Sequence, residues 1–209
     1  MNPDIHVNLF KREGKLTGIV PLCVYSTYLF EIRDLGLIGD VKELPVIYKQ
    51  VRCSSQSMRH LTEFMKQSGE IFEITISPDL SNIMDLIKSE TYYIDYIVDT
   101  TNHNEIVACY VFKETNVISE KTKNVIACIA SVKSKKFDPG LFYTGFIYST
   151  LKFFPTYPYL LIESLSHNIE LCDKIKQNQN PISISPTAYF FHNYVHSTFS
   201  PSNVLILGT

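Results

Sequence analysis

Three apolar segments that follow one another in the middle of the chain, Tyr93 to Asp99, Glu105 to Phe112 and Asn124 to Val132, constrain its fold more than any other feature. Each has the length and composition of a strand. The first two are separated by Thr100 to Asn104, a polar stretch whose residues have the right chemistry for an antiparallel hairpin. With the third they predict a meander. Asp138 and Pro139 then open a helix over Gly140 to Phe154, whose Phe142, Tyr143, Phe146 and Phe153 bury a large aromatic area. Tyr159 to Leu165 returns as a strand.

The flanks extend this alternation. Leu16 to Phe30 is strand-like, with Pro21 marking an edge or a bend. Asp34 to Pro45 reads as a loop with a short strand, and Val46 to Arg52 as another strand. Met58, Leu61, Phe64 and Met65 recur at helical spacing, and Ser68 and Gly69 end that helix. Ile71 to Ser77 alternates as a strand does. Pro78 and Asp79 open a second amphipathic helix through Leu80, Ile83, Met84 and Ile87. Leu171 to Ile175 is predicted as a helical turn, and Gln177 to Ser185 as a polar surface loop. The sum is an α+β chain with a mixed sheet.

Composition narrows the functional classes. The chain has 209 residues, about a fifth of them charged and nearly half hydrophobic, enough to bury a real core. A formal charge of -2 and no basic cluster beyond Lys133, Lys135 and Lys136 argue against a nucleic-acid partner. No stretch is long and apolar enough for a transmembrane segment, and the first residues lack the pattern of a signal peptide, so a cytoplasmic location is expected. The five cysteines (Cys23, Cys53, Cys109, Cys128, Cys172) are widely spaced in apolar runs and read as small buried hydrophobes in a reducing compartment rather than as metal ligands. His192 and His196 are four apart in a stretch of strand formers without an acidic neighbour. Asp95 and Asp99 read as residues of a solvated strand edge. Nucleotide-binding glycine loops, zinc-protease helices and nucleophile elbows are missing.

The last stretch, Thr187 to Thr209, bears an aromatic run (Tyr189, Phe190, Phe191, Tyr194), a Ser200-Pro201 turn and the apolar run Val204 to Leu207. That run is predicted to be a short strand covered on both faces. The α-carboxylate of Thr209 would then be delivered to a fixed place in or beside the core, where a charge needs a partner or a task.

In order and spacing these pieces resemble the C-terminal half of the eukaryotic N-myristoyltransferases. Val7, Asn8, Leu9 and Phe10 followed by Thr17 to Pro21 resemble the family's VNL and AGIVLP runs. Tyr96 to Phe112 is similar to its hairpin, Leu161 to Leu165 to its FNAL strand, Tyr189 to Tyr194 to its YLFNY run, and Ser202 to Val204 to its last strand. The chain departs from the family at Lys113 to Asn116, where Tyr-Ser-Leu-Pro is expected. It departs again at Lys133 in place of a histidine, at Glu163 in place of the FNAL asparagine, and at Asn178 to Ser185, which has no glycine where the family has a glycine loop.

The resemblance implies a mixed, largely antiparallel sheet with flanking helices, one half of the acyl-CoA N-acyltransferase saddle. It implies a single domain over 1–209, with N-terminal strands and loops in 1–52 and the helix and sheet core in 53–209. It also implies transfer of myristoyl from myristoyl-CoA, a co-substrate rather than a bound cofactor, to the N-terminal glycine of a peptide or protein. No metal is implied. The acyl-CoA-binding half of the family has no counterpart in this sequence, so a partner half is implied too. By position the Thr209 carboxylate would be the catalytic base, with Tyr189, Phe191, Asn193 and Leu207 binding substrate. In water an α-ammonium (pKa ~8) gives its proton to an α-carboxylate (pKa ~3.5) only against roughly 6 kcal/mol, a gap that burial of both groups narrows. A non-catalytic peptide- or protein-binding module on the same fold is the other class the sequence leaves open.

Overall fold

The computed structural model describes residues 21–36, 43–54, 57–76, 80–88, 91–115, 124–190 and 197–207. In chain order these form β1 (Pro21–Glu31), α1 (Ile32–Leu35), β2 (Tyr48–Arg52), α2 (Met58–Gly69), β3 (Ile74–Ile76), α3 (Leu80–Lys88), β4 (Tyr92–Asp99), β5 (Glu105–Thr115) and β6 (Val125–Lys133). There follow α4 (Pro139–Phe153), β7 (Tyr159–Glu163), α5 (Asn168–Lys176), β8 (Ser183–Phe190), a 3-10 turn (Pro201–Asn203) and β9 (Val204–Ile206).

Seven strands make one sheet in the order β2-β4-β5-β6-β7-β1-β8, and β3 pairs with β9 in a separate parallel ribbon. Within the large sheet all pairs are antiparallel except β6 with β7. The α+β class with a largely antiparallel mixed sheet is thus the observed architecture. The predicted meander is β4-β5-β6, and its first turn is tight because His103 and Asn104 take positive φ (51 and 58 degrees) while Glu105 N–H donates to Asn102 O at 2.8 Å.

Alternation along each strand sorts residues onto two covered faces. On one, Phe30, Ile97, Tyr110, Phe112, Ile126, Leu160 and Ile162 pack under α4 and α5 through Phe142, Phe146, Ile147 and Leu171. The aromatic helix expected at Gly140 to Phe154 therefore forms the main cover. Asp138 caps it, its Oδ1 accepting the Leu141 N–H at 2.9 Å. On the other face Tyr92, Ile94, Tyr96, Cys109, Val111, Ala127 and Ile129 pack under α2 through Met58, Leu61, Phe64 and Met65, the residues whose spacing predicted that helix.

Four expectations need correction. β8 begins at Ser183, so the polar loop ends at 182: as an edge strand bonded to β1 alone, this segment needs no apolar alternation. The expected turn at Leu171 to Ile175 is a complete helix from Asn168 to Lys176, and the strand expected from Ile71 is confined to Ile74–Ile76, where β9 supplies a partner. Asp95 lies on no solvated edge. It is fully buried, with Arg52 Nε at 2.9 Å from Oδ1 and Nη2 at 3.3 Å from Oδ2, and the guanidinium stacks over the rings of Phe153, Tyr93 and Phe154 at 4.1 to 4.9 Å. Asp99 is the exposed member, turned back to Thr101. The expectations at His192 and His196 and over Leu16 to Val20 lie outside the described residues.

Gly145 marks the closest approach of α4 to the sheet. A β-carbon there would collide with the Ile97 side chain and sit 2.8 Å from the Tyr110 hydroxyl, which is itself fixed by a 2.6 Å bond to Phe142 O. Alanine gains about 1 kcal/mol in helix propensity, but overpacking a close-packed site costs about 1–3 kcal/mol. Gly145→Ala is therefore expected to lower stability by up to about 2 kcal/mol, read as a lower urea midpoint at unchanged slope. A raised midpoint would show that the sheet yields freely beneath α4.

Candidate functional site

The parallel pair β6 and β7 stays in register from Val125 opposite Tyr159 to Cys128 opposite Ile162 and goes no further, although β6 runs on to Lys133. Where the strands part, the start of α5 fills the gap. Asn168, fully buried, donates from Nδ2 to Cys128 O at 3.2 Å and to Glu163 O at 2.9 Å, and its Oδ1 faces the Cys128 thiol at 3.5 Å. Ser166 Oγ donates to Ser131 O at 3.2 Å, and Lys133 N–H donates to His167 Nδ1 at 3.1 Å. These side chains take over the backbone partners that β7 no longer offers to β6.

Glu163 is the last residue of β7 at this divergence. It pairs with Thr27 of β1, and on the same face lie Tyr25 and Cys23 of β1, Thr187 and Tyr189 of β8, and Lys113 of β5 beyond β6. Tyr25 Oη donates to Glu163 Oε2 at 3.3 Å, and the Thr27 and Thr187 hydroxyls share a 2.8 Å bond. Burial pushes the Glu163 carboxyl up to about 7, against the smaller lowering effects of the Tyr25 hydroxyl and Lys113. The result is a carboxyl group that changes charge near neutrality, with aromatic hydroxyls around it. Sequence reasoning noted Glu163 only as a replacement for asparagine. The available signal was a lone acid directly after the apolar run Tyr159 to Ile162.

Beside this tract lies β9. Val204 and Ile206 pack with Leu22, Cys23, Tyr25 and Leu165, with Tyr189 against them, while Leu205 and Leu207 point into the opposite cluster under α2. The expectation of a terminal strand covered on both faces is met, since Val204, Leu205, Ile206 and Leu207 are all buried. The segment is tied at several points: Phe199 N–H to Leu22 O at 2.7 Å, Ser166 N–H to Pro201 O at 3.0 Å and Leu207 N–H to Ile76 O at 2.9 Å. Of the predicted site residues, Tyr189 lies within the Glu163 tract and Leu207 on the far side of β9. Phe191, Asn193 and Thr209 lie outside the described residues.

Other chemistry is weak. All five cysteines are free and buried, and burial raises their thiols, Cys23 to about 11 and Cys109 and Cys172 to about 12, so none is a ready nucleophile. Among the described residues no group of three His, Cys, Asp or Glu side chains is placed to hold a metal ion, and no helix is long and apolar enough to cross a membrane. A surface cavity of about 280 Å³ between the end of α2 and the start of β5, lined by Phe64, Gln67, Glu70 and Lys135, contains none of the predicted site residues.

No family model matches the chain, and no curated protein matches it in sequence. Solved structures do match it in shape. The structure is similar to Saccharomyces cerevisiae N-myristoyltransferase with bound myristoyl-CoA at a TM-score of 0.58, with 13% identity over 88% of this chain and 52% of the yeast one. An aminoglycoside acetyltransferase from an uncultured soil metagenomic sample, in complex with sisomicin, matches at 0.53, with 15% identity over 73% of this chain and 99% of that one. A GCN5-related N-acetyltransferase from Kribbella flavida matches at 0.53, with 12% identity over 90% and 40%. The chain has the acetyltransferase-like fold, and it spans about half the length of the yeast enzyme it matches.

The Glu163 tract makes a checkable statement about stability. A carboxyl raised in the fold from the ordinary 4.5 to about 7 adds stability that is complete below the unfolded value and is lost as pH rises through the folded one. Glu163→Gln removes that dependence and little else. Relative to the variant, the native chain is expected to lose up to about 3 kcal/mol between pH 4.5 and 7.5 and nothing more above, measured by urea unfolding at each pH. Parallel curves for the two proteins would mean that Glu163 ionises as freely as an exposed carboxylate.

Proposed function

We propose that this chain is the peptide-binding half of an N-acyltransferase that moves a myristoyl group from CoA to the N-terminal glycine of a peptide or protein. The observation that carries this reading is the likeness to yeast N-myristoyltransferase across most of the chain, reached in shape where sequence identity is only 13%. In the proposed reaction the glycine amine attacks the thioester carbonyl, an N–C bond forms, the C–S bond breaks, and the CoA thiolate leaves. Before attack the ammonium must lose a proton, and we assign that proton to the α-carboxylate of Thr209. The assignment is supported by the burial of β9 and by the Ile76 bond that holds Leu207 two residues before it. Tyr189, Phe191, Asn193 and Leu207 are the proposed substrate-binding residues.

The acyl-CoA itself is proposed to be held by a second half or partner chain. The N-terminus of a long helix ordinarily attracts a phosphate. On α4 this end is capped by Asp138, whose carboxylate accepts the Leu141 N–H and repels an anion there. The same observation favours the second reading, a peptide- or protein-binding module without catalysis.

One experiment separates the readings. The purified chain is mixed with myristoyl-CoA and a glycine-started peptide, with and without an acyl-CoA-binding half, and acyl-peptide is measured by mass spectrometry. Turnover is expected only with both halves, and one residue added after Thr209 is expected to abolish it while the thermal midpoint moves little. Peptide binding without turnover in the complete mixture would leave the binding module, and undiminished turnover by the extended chain would remove Thr209 as base.

A further inference from the structure

Glu163 forms no ion pair among the described residues, although the interior acid Asp95 has Arg52 in a two-pronged grip. Among the described residues its one side-chain donor is the Tyr25 hydroxyl, at the long distance of 3.3 Å. A carboxylate so placed needs a proton or a cation. The titratable groups near it come from several strands: Cys23 and Tyr25 from β1, Cys128 from β6, Tyr189 from β8, and Lys113 from β5, whose ammonium lies 5.3 Å from the ring of Tyr92 on β4. At the start of α5 Asn168 is bonded to the Glu163 carbonyl, and His167 before it is engaged by the Lys133 N–H.

This environment selects among cations. Three phenol rings on one face suit an organic ammonium ion, whose charge is spread over a carbon skeleton, better than a bare metal ion, which would need further carboxylates. Glu163 is half-buried rather than closed off. We propose that Glu163, steadied by Tyr25, is the receptor for the ammonium group of a ligand that carries a primary amine. The proposal deepens the acyl-transfer reading and rests on it only in taking that amine to belong to the acyl acceptor.

Proton balance gives the site a signature. With its carboxyl raised to about 7, Glu163 binds the ammonium ion in its ionised form, and below that pH each binding event releases one proton to solvent. The ligand must keep its own proton, so affinity passes through a maximum between pH 7 and the amine's value near ~8. Of the surrounding groups, the Cys23 thiol (about 11), the Tyr189 phenol (about 12) and His167 (about 4) hold one charge state across this window.

The test uses the full chain and two probes, Gly-Ala-Ala-Ala-amide and its N-acetylated form, with carbon-13 NMR following the Glu163 carboxyl through a pH titration. Free-amine peptide at tenfold its Kd is expected to lower the midpoint by about one pH unit, while the acetylated peptide leaves it in place. In Glu163→Gln, affinity for the free-amine peptide at pH 7.5 is expected to fall at least tenfold. In Tyr25→Phe the midpoint without peptide rises, and binding persists at pH 8.5. Equal responses to both peptides, or native affinity in Glu163→Gln, would overturn the proposal. No acyl-CoA is present, so the two ideas fail separately: a peptide response without acyl transfer removes the enzyme reading alone, and transfer by Glu163→Gln without any peptide response removes the ammonium site alone.

Discussion

The structure depends on one side chain, that of Asn168, which uses both N–H groups to hold the carbonyls of Cys128 and Glu163 at the point where two parallel strands separate. An antiparallel sheet can run on through hairpins, but a parallel pair that parts in mid-sheet leaves donors and acceptors facing one another with no ladder between them. Asparagine solves this because one amide supplies two donors and an acceptor in a fixed plane. Alanine there would remove the donor that bridges the two strands, leaving the Glu163 carbonyl with the Leu165 N–H alone, and aspartate would bring a charge against both carbonyls.

The same wedge settles the charge of its neighbour. His167 can accept the Lys133 N–H only as a neutral ring with Nδ1 unprotonated, and burial first, then Lys133, lowers its protonation to about 4. The neutral ring therefore contributes stability that is present above its ordinary value near 6.5 and is lost as pH falls toward 4. The pKa of Glu163, four residues earlier, is shifted in the opposite direction with the same result: burial removes its charge too. The divergence thus favours uncharged groups on the protein's side and leaves any charge to be brought by something else.

Much of this was legible in the sequence where the signal is local. The spacing of Met58, Leu61, Phe64 and Met65 follows a helix because those side chains must share one face. Asp138 and Pro139 announce α4 through the chemistry of a helix start, and Thr100 to Asn104 turns because asparagine tolerates positive φ. What was not legible depends on partners far along the chain. Ser183 to Thr187 has no apolar alternation and becomes a strand through β1. Asp95 reads as a surface acid until Arg52, 43 residues earlier, is brought beside it by the β2 and β4 pairing. Tyr25 and Glu163 are 138 residues apart, and no periodicity in either segment links them.

The electrostatic contrast between the N-terminus of α4 and the opposite face of the sheet bears on what the fold can do by itself. Asp138 caps the N-terminus of α4, while Glu163 on the opposite face of the sheet forms no ion pair among the described residues and has Lys113 only as a more distant charge. A chain that took both acyl donor and acceptor would need the reverse at the first place, with open backbone N–H groups or cations beside them. Lys135 and Lys136, just before Asp138, are the nearest basic residues in sequence, and a carboxylate between them and the helix end weakens whatever field they supply. The described charges therefore suit an amine better than a phosphate.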